Sequence, residues 1–173
     1  MHPRTRQSGF TLIELIATVA ILAVLTLIAV PSMNGFIANN RIDAAAKTMM
    51  QHLKTARASA IQTNSAVRVV QVLGSTNGQW QSGWSVITAN NTTLQVSGAI
   101  KGDVTMNSSL LGDDGSIIFA PNGQLAEGGS VAIAVCDSRN DPTFGAYVTI
   151  NIVGRVRIDE TAPASCTSND APF

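Results

Sequence analysis

Arg155 and Arg157 are the residues whose type and spacing most clearly suggest a chemical role. They lie two residues apart in the segment Gly154-Arg155-Val156-Arg157-Ile158. On a strand, residues at this spacing project from the same face, away from Val156 and Ile158. Arginine presents planar, paired N–H donors that fit a phosphate group, and Gly154 allows close backbone approach. The pattern indicates a small arginine pair that could hold phosphates.

The surrounding charges leave a second interpretation open, in which the arginine pair is only a solvated surface feature. Asp159 and Glu160 follow at once, and acidic residues dominate from 103 to 141. The chain has 11 Lys plus Arg against 11 Asp plus Glu, so it has no net positive charge to attract a polyanion. Tyr147 is the only tyrosine, which argues against a base-stacking platform. Any nucleic-acid contact is therefore expected at the backbone, without sequence preference.

Patterns for catalysis or metal binding are weak in this sequence. His52 falls on a predicted helix near Lys54 and Arg57, without an obvious Ser, Cys or Asp companion. The acidic loops 112–115 and 137–141 lack the spacing of a calcium site, so turn formation explains them better. Two cysteines without clustered histidines do not make a zinc site. We expect no enzymatic activity, no cofactor and no metal.

A single carboxylate, Glu14, lies in an almost unbroken apolar run from Phe10 to Val30. At about 1.5 Å per residue this run spans roughly 32 Å, the thickness of the hydrocarbon core of a bilayer. A charge at that depth is disfavoured by roughly 2.5–3.5 kcal/mol, so Glu14 is expected to have a partner. Arg4 and Arg6 precede the run, which places that end in the cytoplasm and sends the rest of the chain across.

A secretory signal peptide is the alternative for this N-terminal segment. Its apolar stretch is normally about 7–15 residues long, and the small-residue cleavage site comes after it. Here the apolar stretch is longer, and the small residue, Gly9, precedes it. The segment Gly9-Phe10-Thr11-Leu12-Ile13-Glu14 instead resembles the class III signal of type IV prepilins and type II secretion pseudopilins.

This resemblance implies one processing step and one assembly contact. Prepilin peptidase would cut after Gly9 and methylate the new N-terminus at Phe10, and Glu14 would pair with the amine of a neighbouring subunit. A buried carboxylate and a buried ammonium each need a counter-charge, which agrees with such a pair. An ordinary polar residue tolerated near a helix end is the alternative for Glu14.

Loss of Arg4 and Arg6 with the leader would leave 9 basic against 11 acidic residues, a net charge of about −2.

The apolar run continues into an amphipathic helix. A kink or local melting is expected at Pro31, and the helical period then extends to about Thr63, for a total length of roughly 80 Å. We predict four segments, which are a leader at 1–9, a transmembrane half-helix at 10–30, an amphipathic half-helix at 31–64 and a β-rich head at 65–173.

From Ala66 onward the apolar period changes to two, which indicates short antiparallel strands. They are predicted at Val67–Leu73, Gly83–Thr88, Thr93–Val96, Val104–Met106, Gly115–Phe119, Ser130–Cys136, Tyr147–Ile152 and Arg155–Ile158, with turns at Asn77-Gly78 and Pro121-Asn122-Gly123. Such a head is large enough for its own core. The fold class is therefore α+β, a long helix on a small antiparallel β-sheet head, and the resemblance implies the same type IV pilin-like lollipop.

Three segments of the head are also similar to the FimT, FimU and GspH group of minor pilins and pseudopilins. They are Trp80-Gln81-Ser82-Gly83-Trp84, Phe119-Ala120-Pro121-Asn122-Gly123 and Gly154-Arg155-Val156-Arg157-Ile158. The two tryptophans are expected to serve core and turn packing. The Gly-Arg-x-Arg segment resembles one in FimT-type minor pilins that bind DNA for uptake in natural transformation.

Three functions fit this resemblance. The first is a minor pilin at or near the tip of a type IV pilus, where Gly154, Arg155 and Arg157 contact double-stranded DNA. The second is a minor pilin that primes assembly without binding DNA, and the third is a type II secretion pseudopilin. The implied partners are other major and minor pilins, prepilin peptidase and the inner membrane. The head would lie in the periplasm until the subunit enters an extracellular pilus.

Cys136 and Cys166 both lie on the translocated side of the expected membrane span, where oxidation is permitted. We expect one disulfide between them. It would close a loop of about 30 residues and constrain the unfolded chain by roughly 3.5 kcal/mol on a loop-entropy treatment. It would also hold the C-terminal tail, which otherwise has little to anchor it.

Overall fold

The structure is a computed structural model that describes residues 9–72, 78–108, 115–126, 128–139, 141–159 and 166. Residues 28–32 and 142 are described by their backbone alone. Within the described residues, one long helix is followed by eight strands and a short 3-10 turn. Their bounds are α1 Leu12–Thr63, β1 Val67–Gln71, β2 Trp84–Thr88, β3 Thr93–Ser97, β4 Thr105–Ser108, β5 Ile117–Phe119, β6 Val131–Cys136, the 3-10 turn Pro142–Phe144, β7 Ala146–Ile150 and β8 Val156–Asp159.

These elements confirm the predicted α+β fold. The helix ends at Thr63, as predicted, and each predicted strand has a counterpart whose bounds differ by at most two residues. The helix continues through Pro31 without a break, so the expected local melting at that residue is not found. Leu73 and Asn77, which belong to a predicted strand and turn, lie outside the described residues.

The chain divides into two compact units after Ile37. In the first unit the structure describes the start of α1, and every side chain from Phe10 to Leu27 is exposed, apolar ones included. Across the side chains that the structure describes, no helix is both long enough and apolar enough to cross a membrane.

The second unit, from Ala38 on, contains the remainder of α1 and two antiparallel sheets. The sequence alone does not divide the strands into sheets. The structure orders them as β3-β2-β1-β5 and as β4-β6-β7-β8. β8 is thus an edge strand, paired to β7 with Val156 opposite Ile150 and Arg157 opposite Thr149.

One hydrophobic core lies between α1 and both sheets. Met49, Leu53, Ala56 and Ala60 recur at spacings of three and four along α1 and are fully buried. They belong to the same cluster as buried residues of both sheets, among them Val69, Trp84, Phe119, Ile133 and Val148. Strand alternation supplies the other half of this core, since Val67 and Val69 of β1 are buried while the residue between them is not. The helix stripe therefore joins the two sheets.

The structure contains the expected disulfide between Cys136, the last residue of β6, and Cys166. Their Cα atoms are 5.8 Å apart, within the usual range for a disulfide. Asn107 Nδ2 on β4 also donates to the Cys166 carbonyl at 3.1 Å. Two contacts therefore hold residue 166 against the second sheet.

Both tryptophans are fully buried, and each indole N–H has an acceptor. Trp80 Nε1 donates to Ser108 Oγ, and Trp84 Nε1 donates to His52 Nδ1, each at 3.0 Å. Their expected role in packing is what the structure shows. Burial lowers the pKa of His52 below its ordinary value of 6.5, and Nδ1 can accept a hydrogen bond only in the neutral imidazole.

Acid should destabilise the head through His52. The pKa of His52 is lower in the folded chain than in the unfolded chain, so the unfolded chain binds more protons as the pH falls. The free energy of unfolding therefore has its full value above pH 6.5 and decreases as the pH falls towards the pKa of the folded chain. His52→Gln keeps an acceptor for the indole but does not titrate, so it should lose less stability between about pH 7 and pH 5.5. Chemical denaturation at both pH values tests this. Equal losses in the two proteins would contradict the role of His52.

Candidate functional site

Glu14 forms a capping box with Thr11 at the start of α1. Glu14 Oε2 accepts hydrogen bonds from Thr11 N and Thr11 Oγ1, both at 2.9 Å, and Glu14 N donates to Thr11 Oγ1 at 3.3 Å. These bonds satisfy N–H groups that the first turn of a helix otherwise leaves without partners. Within one subunit the carboxylate therefore already has a local partner.

The signal for this cap is present in the sequence, as a Thr-x-x-Glu spacing before an apolar run. It gives Glu14 a structural role beside the predicted assembly contact. Gly9 and Phe10 precede the cap. Phe10 is 86% exposed, and a Cβ added at Gly9 would meet no atom within 4 Å. Packing within the described subunit therefore gives no reason for a glycine at position 9.

Arg155 and Arg157 lie where the alternation of the sequence predicts them. Both are exposed, while Val156 between them is buried. Arg157 lies on β8, and Arg155 comes directly before it rather than within the strand. Asp159, two residues further, is also exposed at the end of β8 and adds one negative charge there. The pair is thus presented at the edge of the second sheet.

Hydrogen bonds within the turn between β7 and β8 hold the backbone at Arg155 in place. Asn151 Oδ1 accepts a hydrogen bond from Arg155 N at 2.8 Å, and Gly154 N donates to the Asn151 carbonyl at 2.8 Å. Gly154 has φ +74° and is buried, and a Cβ there would collide with the Gly123 carbonyl oxygen. The absence of a side chain at Gly154 therefore allows the backbone of this turn to lie close to the Gly123 carbonyl of the same chain.

Arg57 ties this turn to the helix. Its Nε donates to the Gly123 carbonyl at 3.0 Å, and its Nη2 donates to the Val153 carbonyl at 2.9 Å. One side chain of α1 thus bridges the loop after β5 and the β7–β8 turn. Nothing in the sequence indicates this role for Arg57, since a residue's position on a helix does not reveal which loops will meet it.

A cleft of about 580 Å³ separates α1 from the start of β8. Its basic lining consists of Lys54, Arg57, Arg155 and Arg157, and its other lining residues are Met50, Ala58, Ile61, Gly154 and Val156. Among the described residues, no carboxylate forms an ion pair with Lys54, Arg155 or Arg157. The structure therefore brings the predicted arginine pair together with Lys54, which no sequence pattern connects to it.

The acidic loop after β6 is held by an ion pair. Asp137 is buried, and its Oδ2 accepts a hydrogen bond from Arg139 Nε at 2.6 Å. Arg139 Nη2 also donates to Asn39 Oδ1 at 2.8 Å, and its guanidinium lies 4.4 Å from the centre of the Phe144 ring. Hydrogen bonds from Thr143 lower the pKa of Asp141 in the same loop. These contacts give the acids of the loop a structural role, as expected from turn formation.

Tyr147 is not accessible to a nucleic-acid base. It is buried on β7 in a small cluster with Ala132 and Ala134 of β6. The only tyrosine of the chain therefore offers no ring face on which a base could stack.

Gly154→Ala should destabilise the head more than Gly128→Ala. Both glycines have left-handed φ values, +74° and +72°, which cost an L-residue about 1–2 kcal/mol. A Cβ at Gly154 would also collide with the Gly123 carbonyl, whereas at Gly128 it would meet nothing within 4 Å. The difference between the two losses in unfolding free energy, measured by chemical denaturation, isolates the cost of that collision. Equal losses would mean that the collision with the Gly123 carbonyl does not change the free energy of unfolding.

A long N-terminal helix that begins within a Gly-Phe-Thr-Leu-Ile-Glu segment and packs on antiparallel sheets defines the type IV pilin-like fold. The crystal structure of the type IV minor pilin FimU from Pseudomonas aeruginosa strain PAO1 matches with a TM-score of 0.63 at 20% identity, over 76% of this chain and 99% of that chain. The minor pseudopilin EpsH from the Type 2 Secretion System of Vibrio cholerae matches with a TM-score of 0.53 at 13% identity, over 72% of this chain and 99% of that chain.

The chain belongs to the GspH family. The model of the family described as Type II transport protein GspH matches residues 45–154, more than half of the chain. The prokaryotic N-terminal methylation motif matches residues 4–30. No curated protein sequence matches the chain significantly. The resemblance to the FimT, FimU and GspH group of minor pilins and pseudopilins is thereby confirmed.

Proposed function

We propose that this chain is a minor type IV pilin, located at or near the pilus tip, that supports assembly and binds double-stranded DNA for uptake in natural transformation. The observation that carries the DNA-binding part is the exposed pair of Arg155 and Arg157, without a described carboxylate partner, beside a basic cleft. Membership of the GspH family and the FimU-like fold support the assembly part. The proposal includes no enzymatic step, no cofactor and no metal.

Processing would precede assembly. Prepilin peptidase would cut between Gly9 and Phe10 and methylate Phe10, and residues 10–30 would anchor the subunit in the inner membrane with the head in the periplasm. The match to the N-terminal methylation motif supports this. The peptidase and the other major and minor pilins are then the protein partners.

Glu14 would act at two stages. In the single subunit its carboxylate caps α1 through Thr11. In the fibre it would accept the charged amine of a neighbouring subunit, and removal of one partner of such a buried pair is costly because the other charge stays unpaired. The cap orients the carboxylate before the neighbour arrives.

Glu14→Gln and Thr11→Ala should separate these two stages. Glutamine keeps an acceptor for Thr11 but carries no charge, so Glu14→Gln should fail to enter pili, as should Glu14→Leu. Thr11→Ala loses the cap, at about 0.5–2 kcal/mol, but keeps the charge, so assembly should continue. Immunoblots of sheared fibres measure incorporation, and the mass of the mature N-terminus controls for processing. Parental levels of Glu14→Gln in fibres would contradict the counter-charge role.

Binding to DNA would use charge and geometry but no base contacts. Arg155 and Arg157 can each direct planar paired donors at a phosphate, and both are exposed on either side of the buried Val156. The buried Tyr147 offers no stacking surface. Contacts limited to the phosphate backbone carry no sequence information, so the binding would be non-specific. Affinity per subunit would be low, and several copies would be needed for useful avidity.

Arg155→Gln with Arg157→Gln should weaken DNA binding and make it less sensitive to salt. Each phosphate neutralised contributes about −0.9 to the slope of log affinity against log salt, so the slope should flatten by up to about two units. Lysine at both positions should restore part of the affinity, because charge returns without the planar donors. Fluorescence anisotropy of a labelled duplex, with the full-length protein in a neutral detergent, gives the slope.

The control for this experiment is a variant that removes two charges elsewhere. Lys47→Gln with Lys101→Gln does so at two exposed residues outside the arginine pair, and its slope should stay close to that of the parent. The same Arg155 and Arg157 variant should lower transformation frequency in cells that still make pili. Unchanged uptake together with an unchanged slope would remove the DNA-binding part and leave a priming pilin.

A type II secretion pseudopilin is the second candidate function. Two observations favour it: the matched family is that of the Type II transport protein GspH, and the fold is similar to that of the minor pseudopilin EpsH. In that case deletion of the protein would impair protein secretion and leave transformation intact.

A further inference from the structure

We propose that the DNA-contacting surface does not end at β8 but crosses the cleft to α1, where Lys54 contacts a further phosphate. This inference rests on the proposed binding of DNA at Arg155 and Arg157. Lys54 is exposed, lines the same cleft as the arginine pair, and has no ion-pair partner among the described residues. The sequence separates Lys54 from β8 by about a hundred residues, so only the fold makes them neighbours.

The cleft has the chemistry of a groove for a sugar-phosphate strand. Its cationic side chains come from both walls, with Lys54 on the helix and the arginine pair at the start of β8. The helix wall also contributes the apolar side chains of Met50, Ala58 and Ile61 to the lining. A backbone strand alternates charged phosphates with sugar carbons, so cationic walls and apolar lining can each meet a matching part of it.

Arg57 is a positioning residue rather than a phosphate contact in this arrangement. Its Nε and Nη2 donors are used by the Gly123 and Val153 carbonyls. These two bonds hold the β7–β8 turn against α1 and thereby fix the distance between Lys54 and Arg155. The guanidinium also adds its positive charge to the lining of the cleft, where it strengthens the local field.

Lys47 provides an internal comparison on the same helix. It lies seven residues before Lys54, or about two turns and 10.5 Å along the axis. Unlike Lys54, it pairs with a carboxylate, since its Nζ is 3.4 Å from Asp43 Oδ2. A neighbouring negative charge offsets what Lys47 can offer a phosphate, so Lys47 and Lys54 should differ although both are exposed helix lysines.

The test compares the salt dependence of DNA binding in single variants of the full-length protein. Lys54→Gln should flatten the slope of log affinity against log salt by about 0.9. Lys54→Arg should keep the parental slope. Lys47→Gln and Lys101→Gln remove the same charge outside the cleft and should change the slope much less. Because Lys54 is exposed, thermal unfolding should be unchanged in Lys54→Gln, which checks that the variant is folded.

Two results would overturn the inference. One is a parental slope in Lys54→Gln, and the other is an equal flattening by Lys54→Gln, Lys47→Gln and Lys101→Gln, which would indicate only the overall charge of the protein. If the slope still depends on Arg155 and Arg157, the proposed function survives and only the extension to α1 is wrong. If the parent protein shows no salt-dependent binding at all, the proposed DNA binding and this extension are both wrong.

Discussion

The buried stripe of α1 is the contact on which the rest of the head depends. Met49, Leu53, Ala56 and Ala60 belong to one cluster with residues of both sheets, so the sheets share a core through the helix. Because such interiors are close-packed, the helix cannot shift without moving strands. The same packing fixes the position of the solvent-facing side of α1, which carries Lys54, relative to β8. The basic cleft is therefore a consequence of the core, although none of its charges is buried there.

Hydrophobic periodicity was sufficient to predict most elements of this fold. The spacing of three and four gave the end of α1 at Thr63, and alternation gave the strands and the outward direction of Arg155 and Arg157. Periodicity does not encode which strands become neighbours. β1 pairs with β5, which is distant in sequence, and the division into two sheets follows from such pairings. Local patterns therefore predicted the elements but not the sheets.

The candidate sites differ in how far sequence can predict them. The cap of Glu14 by Thr11 is local and has a readable spacing. The partners of Arg57 are not local, since the bond to the Gly123 carbonyl spans 66 positions. Lys54 and Arg57 have the sequence pattern of ordinary solvated helix charges. Only the docking of the β7–β8 turn on α1 distinguishes them.

The Cys136–Cys166 bond encloses β7 and β8 in a covalent loop. Among the described strands β8 pairs only with β7, so a pulling force could open its hydrogen bonds one pair at a time. A polymer tethered at Arg155 and Arg157 would apply such a force. The disulfide limits how far β8 can be peeled away, because the load then passes to β6, an interior strand. The cross-link therefore limits the displacement of β8, which carries Arg157 and directly follows Arg155.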